Sequence, residues 1–194
     1  AVTLLENAEW LLPHQLDKTG GVLLERWVNQ QGIHIKRSVT VSEIVGDTKA
    51  IGVRLDTGEF LGADFVVITA GVRSNAVLAK AAGIATQHGI LVDDFLRTTH
   101  PRVFAAGDVA EHQGIVYGLW DPARYQGVIA GRNAAGASVQ FGGVPRSNTL
   151  KVLDIPLFSI GIVNPADNSY REIAAATETT YERFLLQQNK LVGA

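Results

Sequence analysis

Asp108 is the residue whose setting most invites chemistry. It follows Gly107 at the end of the apolar run Val103-Phe104-Ala105-Ala106. Such a run is expected to form a buried strand, and open α/β sheets take their ligands at the carboxyl ends of their strands. A glycine there lets backbone and ligand approach closely, because it has no Cβ. An ionised carboxylate can only accept hydrogen bonds, which suits it to the hydroxyl of a sugar alcohol. Standing alone, a Gly-Asp after a strand is most often an ordinary turn.

Other side chains offer less. The sequence has no cysteine, so it holds no thiol nucleophile, disulfide or zinc-thiolate site, and redox chemistry would have to be a cofactor's. His14, His34, His88, His100 and His112 show no metal-ligand spacing, and each is expected at the surface or in a loop. Asp93 and Asp94 are adjacent. Neighbours leaving a strand point apart, so they read as turn formers and not as a catalytic pair.

The elements that must position these residues alternate. Residues 2–6 form a short β-type run, residues 16–31 place Leu16, Leu23, Leu24, Trp27 and Val28 on one helical face, and Gly32 supplies the stop before a strand at 33–35. Strand-like runs follow at 40–45, 50–55 and 65–69, with a turn at Asp56-Thr57-Gly58. Beyond Gly71 the pattern predicts a helix over 74–82, strands over 90–92 and 103–106, and a longer helix over 122–135, with Pro122 suited to a first helical turn. Gly142-Gly143-Val144-Pro145 reads as a linker, after which strands at 149–153 and 157–162 open a mostly β tail. The whole reads as an α/β fold with a β meander, followed by a mostly β C-terminal segment.

Composition narrows the class. With 194 residues and 46% apolar content the chain can bury a real core. A net charge of −2, from 17 basic and 19 acidic side chains, leaves no basic stripe for a phosphate backbone, so nucleic acid is not an expected partner. No apolar run approaches the roughly 20 residues needed to span a bilayer, and no basic-then-apolar secretory pattern opens the chain; a cytoplasmic location is the expectation. The opening Ala1-Val2-Thr3-Leu4-Leu5-Glu6 and the closing Leu191-Val192-Gly193-Ala194 both read as strand, which predicts an internal piece of a longer protein.

The segment around the Gly-Asp and four others give it its context. Thr99-His100-Pro101-Arg102-Val103-Phe104-Ala105-Ala106-Gly107-Asp108 resembles the second FAD fingerprint of the pyridine nucleotide-disulfide oxidoreductase superfamily. Phe65 to Asn75, with the small residues Thr69-Ala70-Gly71, is similar to the strand that closes the NAD(P)H domain there and returns the chain to the FAD domain; Ser74 could also be a helix N-cap. Tyr117-Gly118-Leu119-Trp120-Asp121-Pro122 leads into a helix whose N-terminus carries unpaired N–H groups and partial positive charge. Leu11-Leu12-Pro13-His14-Gln15-Leu16-Asp17 is similar to a pattern of the same family, and Leu150-Lys151-Val152-Leu153-Asp154-Ile155-Pro156 resembles the first strands of the C-terminal domain in its rubredoxin reductase and nitrite reductase branch.

The resemblance implies partial Rossmann-like FAD- and NAD(P)H-binding domains: residues 1–71 as the later part of the NAD(P)H domain, 72–140 as the second half of the FAD domain, and 141–194 as the start of a C-terminal domain. It implies that Asp108 binds the ribityl chain of FAD, with Gly107 and Val109 beside it, and that Leu119 and Trp120 lie near the isoalloxazine. Gly71 would lie at the return into the FAD domain. Glu6, at the end of the first strand, would take the adenosine ribose hydroxyls. Its carboxylate would repel a 2′-phosphate, and no arginine stands at Asn7 or Ala8, so NADH is expected over NADPH. Without the resemblance Glu6 reads as a solvated strand end.

The expected activity of the longer protein is hydride transfer from NADH to flavin and electron transfer to a separate acceptor, protein or small molecule. No Gly-x-Gly-x-x-Gly occurs in the sequence, so this piece is expected to be inactive alone. The competing expectation is a non-catalytic nucleotide-binding or interaction module of the same fold. Apolar faces that the rest of such a protein would cover could also make a homodimer.

Overall fold

A computed structural model describes the backbone of residues 1–194 and every side chain except those of Lys151 and Val152. The chain folds into two compact units, one of residues 1–68 with 146–194 and one of residues 69–145.

The first unit begins with a β-α-β crossover. Strand β1 (Val2–Leu5) pairs in parallel with β2 (Ile33–Lys36), Val2 opposite Ile33 and Leu5 opposite Lys36. A parallel pair needs a long connection, and helix α1 (Lys18–Gln30) supplies it. Asp17 starts that helix, its carboxylate accepting the N–H of Gly20 at 2.9 Å, a side-chain cap for one of the unpaired donors of the first turn. Gly32, at φ +76°, ends it in the left-handed conformation that glycine adopts without penalty. Leu24 and Val28, four apart on one face, are buried with Leu11 against Ile33 and Ile35.

The remaining strands of this unit are antiparallel. A meander of β3 (Val41–Gly46), β4 (Ala50–Leu55) and β5 (Phe60–Gly62) follows the crossover. Hairpin β8 (Ser147–Val152) and β9 (Ile155–Ile160) turns through Leu153 and Asp154, both at positive φ, as a two-residue hairpin turn of the primed type requires. Ile155 and Leu157 of this hairpin pack on the α1 core. Strands β10 (Arg171–Ala176), β11 (Tyr181–Gln187) and β12 (Lys190–Gly193) complete the β tail.

The second unit holds the short helix α2 (Val77–Ala81), the parallel pair β6 (Ile90–Val92) and β7 (Ala110–His112), and helix α3 (Trp120–Ala134). Its core gathers Leu96, Tyr117, Ile129, Ala130 and Phe141. The ring of Phe141 meets those of His112 and Tyr117 edge to face, at centroid distances of 5.0 and 5.8 Å. The architecture is α/β with a mostly β C-terminal portion, as the sequence pattern predicts.

Several elements depart from the expectations. Residues 65–69 form no strand, and Phe65, Val67 and Ile68 are 89%, 80% and 70% exposed; an apolar run becomes a strand only when another strand takes its N–H and C=O groups. Residues 103–106 likewise contribute only the isolated bridge between Phe104 and Arg97. The helix expected over 74–82 shrinks to α2, capped at Ala76 without a side-chain bond, so Ser74 is no cap. Strand β5 has only three residues and falls outside the sequence expectation.

Candidate functional site

Gly107, Asp108 and Val109 form a single 3-10 turn between the extended backbone of Ala106 and strand β7. Gly107 sits at φ +77°, and a Cβ on it would lie 3.5 Å from that of Ala123 on α3. The Gly107 N–H donates to Gln126 Oε1 at 2.8 Å. Helix α3 therefore grips the turn by one hydrogen bond and one close approach of small groups. The Asp108 carbonyl accepts the Ser74 hydroxyl at 2.6 Å, which ties the 70–76 segment to the same turn. The Asp108 carboxylate is exposed and accepts no hydrogen bond among the described residues. The turn that carries it packs against α3.

Leu119 precedes the first turn of α3 with extended backbone and no side-chain capping bond, so the leading N–H groups are left for a ligand or solvent. Trp120 is 82% exposed, Asp121 is exposed, and Pro122 is buried. A 15-residue helix with a free N-terminus concentrates about half a unit of positive charge there.

The strand that follows the turn is held by two buried ionisable side chains. Glu111 takes the N–H groups of His88 and Gly89 on Oε2 at 2.7 and 2.8 Å. Gly89 must be small here, since a Cβ would come within 2.7 Å of the Val109 carbonyl oxygen. His112, only 1% exposed, donates from Nε2 to Asp94 Oδ1 at 2.8 Å. The hydrogen bond from His112, then that from Gln113, holds the Asp94 carboxyl below its ordinary value.

The remaining candidates lie apart in sequence. Gly71 is exposed at φ +82° with open space where a side chain would project. Glu6, in the other unit, is half-buried at the end of β1, and its Oε1 accepts the Ala8 N–H at 2.9 Å. Nearby Lys36 and Arg37 are each paired, with Glu59 and Glu25, both at 2.8 Å.

Residues 1–127 match the family described as pyridine nucleotide-disulphide oxidoreductase. The chain belongs to that family. Residues 146–194 match the rubredoxin NAD+ reductase C-terminal domain. Among curated oxidoreductases of this kind, the chain is 33% identical to the NAD(P)H nitrite reductase of Bacillus subtilis (strain 168), over 100% of this chain and 24% of that protein. It is 31% identical to the NADH-rubredoxin oxidoreductase of Clostridium acetobutylicum, over 96% of this chain and 45% of that one. The crystal structure of NADH:rubredoxin oxidoreductase from Clostridium acetobutylicum superposes with a TM-score of 0.76 at 28% identity, covering 98% of this chain and 47% of that one. An NAD-dependent persulfide reductase from A. fulgidus gives a TM-score of 0.88 at 25% identity, covering 99% of this chain and 40% of that one. The chain thus spans between a quarter and a half of these relatives.

For a pyridine nucleotide-disulphide oxidoreductase chain, the structure adds residues that sequence reasoning passed over. Gln126, Glu111 and His112 are all buried, and His112 corrects the expectation that every histidine is superficial. The available signal for Gln126 was its spacing: with Pro122, Ile129, Ala130 and Asn133 it falls on the buried face of α3, where a polar residue is out of place. Ser74 carried no signal, because its partner is a main-chain carbonyl 34 residues away.

Proposed function

We propose that the chain is part of an FAD-dependent NAD(P)H oxidoreductase that oxidises NADH and hands the electrons to a separate acceptor. The observation that carries the reading is the Gly107-Asp108 turn: an unpartnered carboxylate on a backbone held against a helix whose N-terminus is free. These residues fit the polyol arm of FAD. The carboxylate can accept from hydroxyl donors, Gly107 presents no Cβ to obstruct them, and the α3 N-terminus would favour negative charge on the ring system. Asp108 would bind the ribityl chain, Gly107 and Val109 would follow it with their main chain, and Leu119 and Trp120 would border the ring. Gly71 would lie where the chain returns to the flavin side.

The cofactor, when bound, supplies the chemistry: hydride acceptance from NADH and onward electron transfer. The protein's part is to bind it, orient it and set the charge around it. Glu6 would receive the adenosine ribose hydroxyls of NADH. One of its oxygens is taken by the Ala8 N–H, and the cations beside it are already paired with Glu59 and Glu25, which supports NADH over a 2′-phosphorylated cofactor. We assign residues 1–71 to the NAD(P)H domain, 72–140 to the FAD domain and 141–194 to the C-terminal domain, in a longer protein of which this piece alone is inactive. Relatives named for rubredoxin and nitrite support an acceptor that is a small redox protein or a second redox centre. A homodimer and a cytoplasmic location remain part of this reading; among the described residues no helix is long and apolar enough to cross a membrane.

The test is the visible spectrum of the full-length protein. The reading expects an oxidised-flavin band that NADH bleaches and NADPH bleaches far more slowly. A flat spectrum after incubation with FAD would favour the non-catalytic module instead.

A further inference from the structure

Gln126 is fully buried, at 0% exposure, on the inner face of α3. Its carboxamide can be oriented from its partner. Gly107 offers an N–H, so the group facing it must be the oxygen, and Oε1 accepts at 2.8 Å. That leaves Nε2, a buried donor with no acceptor among the described residues. The same helix shows what full use of such a group looks like: Asn133 donates from Nδ2 to the carbonyls of Phe95 and Val139 and accepts the Val139 N–H on Oδ1, all at 2.8 Å. Buried amides in folded proteins are almost always paired, because a stranded donor forfeits its hydrogen bond to water. That nitrogen is enclosed by the chain's own atoms, so nothing outside the chain reaches it. What Gln126 offers the site is its oxygen, which holds the Gly107-Asp108 turn.

We propose that Gln126 is a positioning residue of the flavin site: its Oε1 fixes the Gly107-Asp108 turn so that the Asp108 carboxylate meets the ribityl arm of FAD. This rests on the flavin reading above and deepens it. Gln126 is itself too enclosed to touch the cofactor and acts through the turn.

The experiment uses the full-length protein, stripped of flavin and titrated with FAD, with melting temperatures taken with and without FAD. Gln126→Leu removes the acceptor and is expected to weaken FAD binding about tenfold or more, with NADH affinity unchanged. Gln126→Glu keeps an oxygen that accepts from Gly107 in either protonation state, so its FAD affinity is expected to stay near the wild-type value. An equal loss of FAD affinity in both variants would overturn the inference. If both variants lower the melting temperature of the stripped protein but keep wild-type FAD affinity and a wild-type FAD-induced rise in melting temperature, while Asp108→Ala weakens FAD, Gln126 is structural only and the inference fails by itself. If the wild type binds no FAD, the flavin reading fails and takes this inference with it.

Discussion

Tyr181 donates its hydroxyl to Asp17 Oδ2 at 2.5 Å while Asp17 Oδ1 accepts the Gly20 N–H at 2.9 Å. One carboxylate thus caps helix α1 and anchors strand β11, 164 positions away in sequence. Arg183 adds its Nε at 3.5 Å from Asp17 and binds Glu172 through Nη2 at 2.8 Å.

Tyr181→Phe removes only the hydroxyl. Loss of a partly buried hydrogen bond to a charged acceptor is expected to cost about 1–2 kcal/mol, read as a lower urea midpoint with unchanged slope. The pH dependence has a definite sign. Burial first, then the hydrogen bond to Asp17, raises the Tyr181 pKa above its ordinary value. A group raised in the folded state stabilises fully below its unfolded pKa, about 10 for tyrosine, and loses that contribution as pH climbs toward the folded value. Above about pH 10 the wild type should therefore lose stability more steeply than Tyr181→Phe.

Gly21→Ala should go against helix propensity. Alanine in a helix interior gains up to about 1 kcal/mol over glycine, but a Cβ at Gly21 would lie 2.8 Å from Cβ and Cγ of Trp10. The indole cannot easily retreat, because its Nε1 donates to the Leu16 carbonyl at 3.0 Å. Overpacking of this kind costs about 1–3 kcal/mol, so thermal melting should fall and not rise.

Asp94→Asn should blunt acid sensitivity. The Asp94 pKa is lowered chiefly by the His112 hydrogen bond. A depressed carboxylate stabilises above its unfolded pKa, about 3.9, and that contribution disappears as pH falls through the folded value. Acid unfolding followed by tryptophan fluorescence should show a shallower dependence over that window in Asp94→Asn than in the wild type.

Phe141→Ala should be the most damaging of these changes. The ring is buried among His112, Tyr117 and Tyr125, and its removal is expected to cost about 3–5 kcal/mol. Calorimetry should register the loss as a markedly lower melting temperature.

How far the sequence could be read follows the range of the interactions. Helix α1 was legible because its signals are local: Asp17 before it, an apolar face through Leu24 and Val28, and Gly32 after it. The β character of the tail was legible from its apolar runs. The runs at 65–69 and 103–106 were not, since strand composition does not say whether a neighbour exists to pair with. In the candidate site, Gly107 and Asp108 stood out by residue type and position. Gln126 and Ser74 did not, because their roles depend on which backbone groups the fold brings to them.

The most direct test of the central claim is FAD retention by Asp108→Ala in the full-length protein, measured beside NADH affinity. Replacing an exposed carboxylate with no internal partner should leave the fold intact, so FAD affinity is expected to drop about tenfold or more with NADH binding preserved. Undiminished FAD binding, or an equal loss of both ligands, would contradict the account.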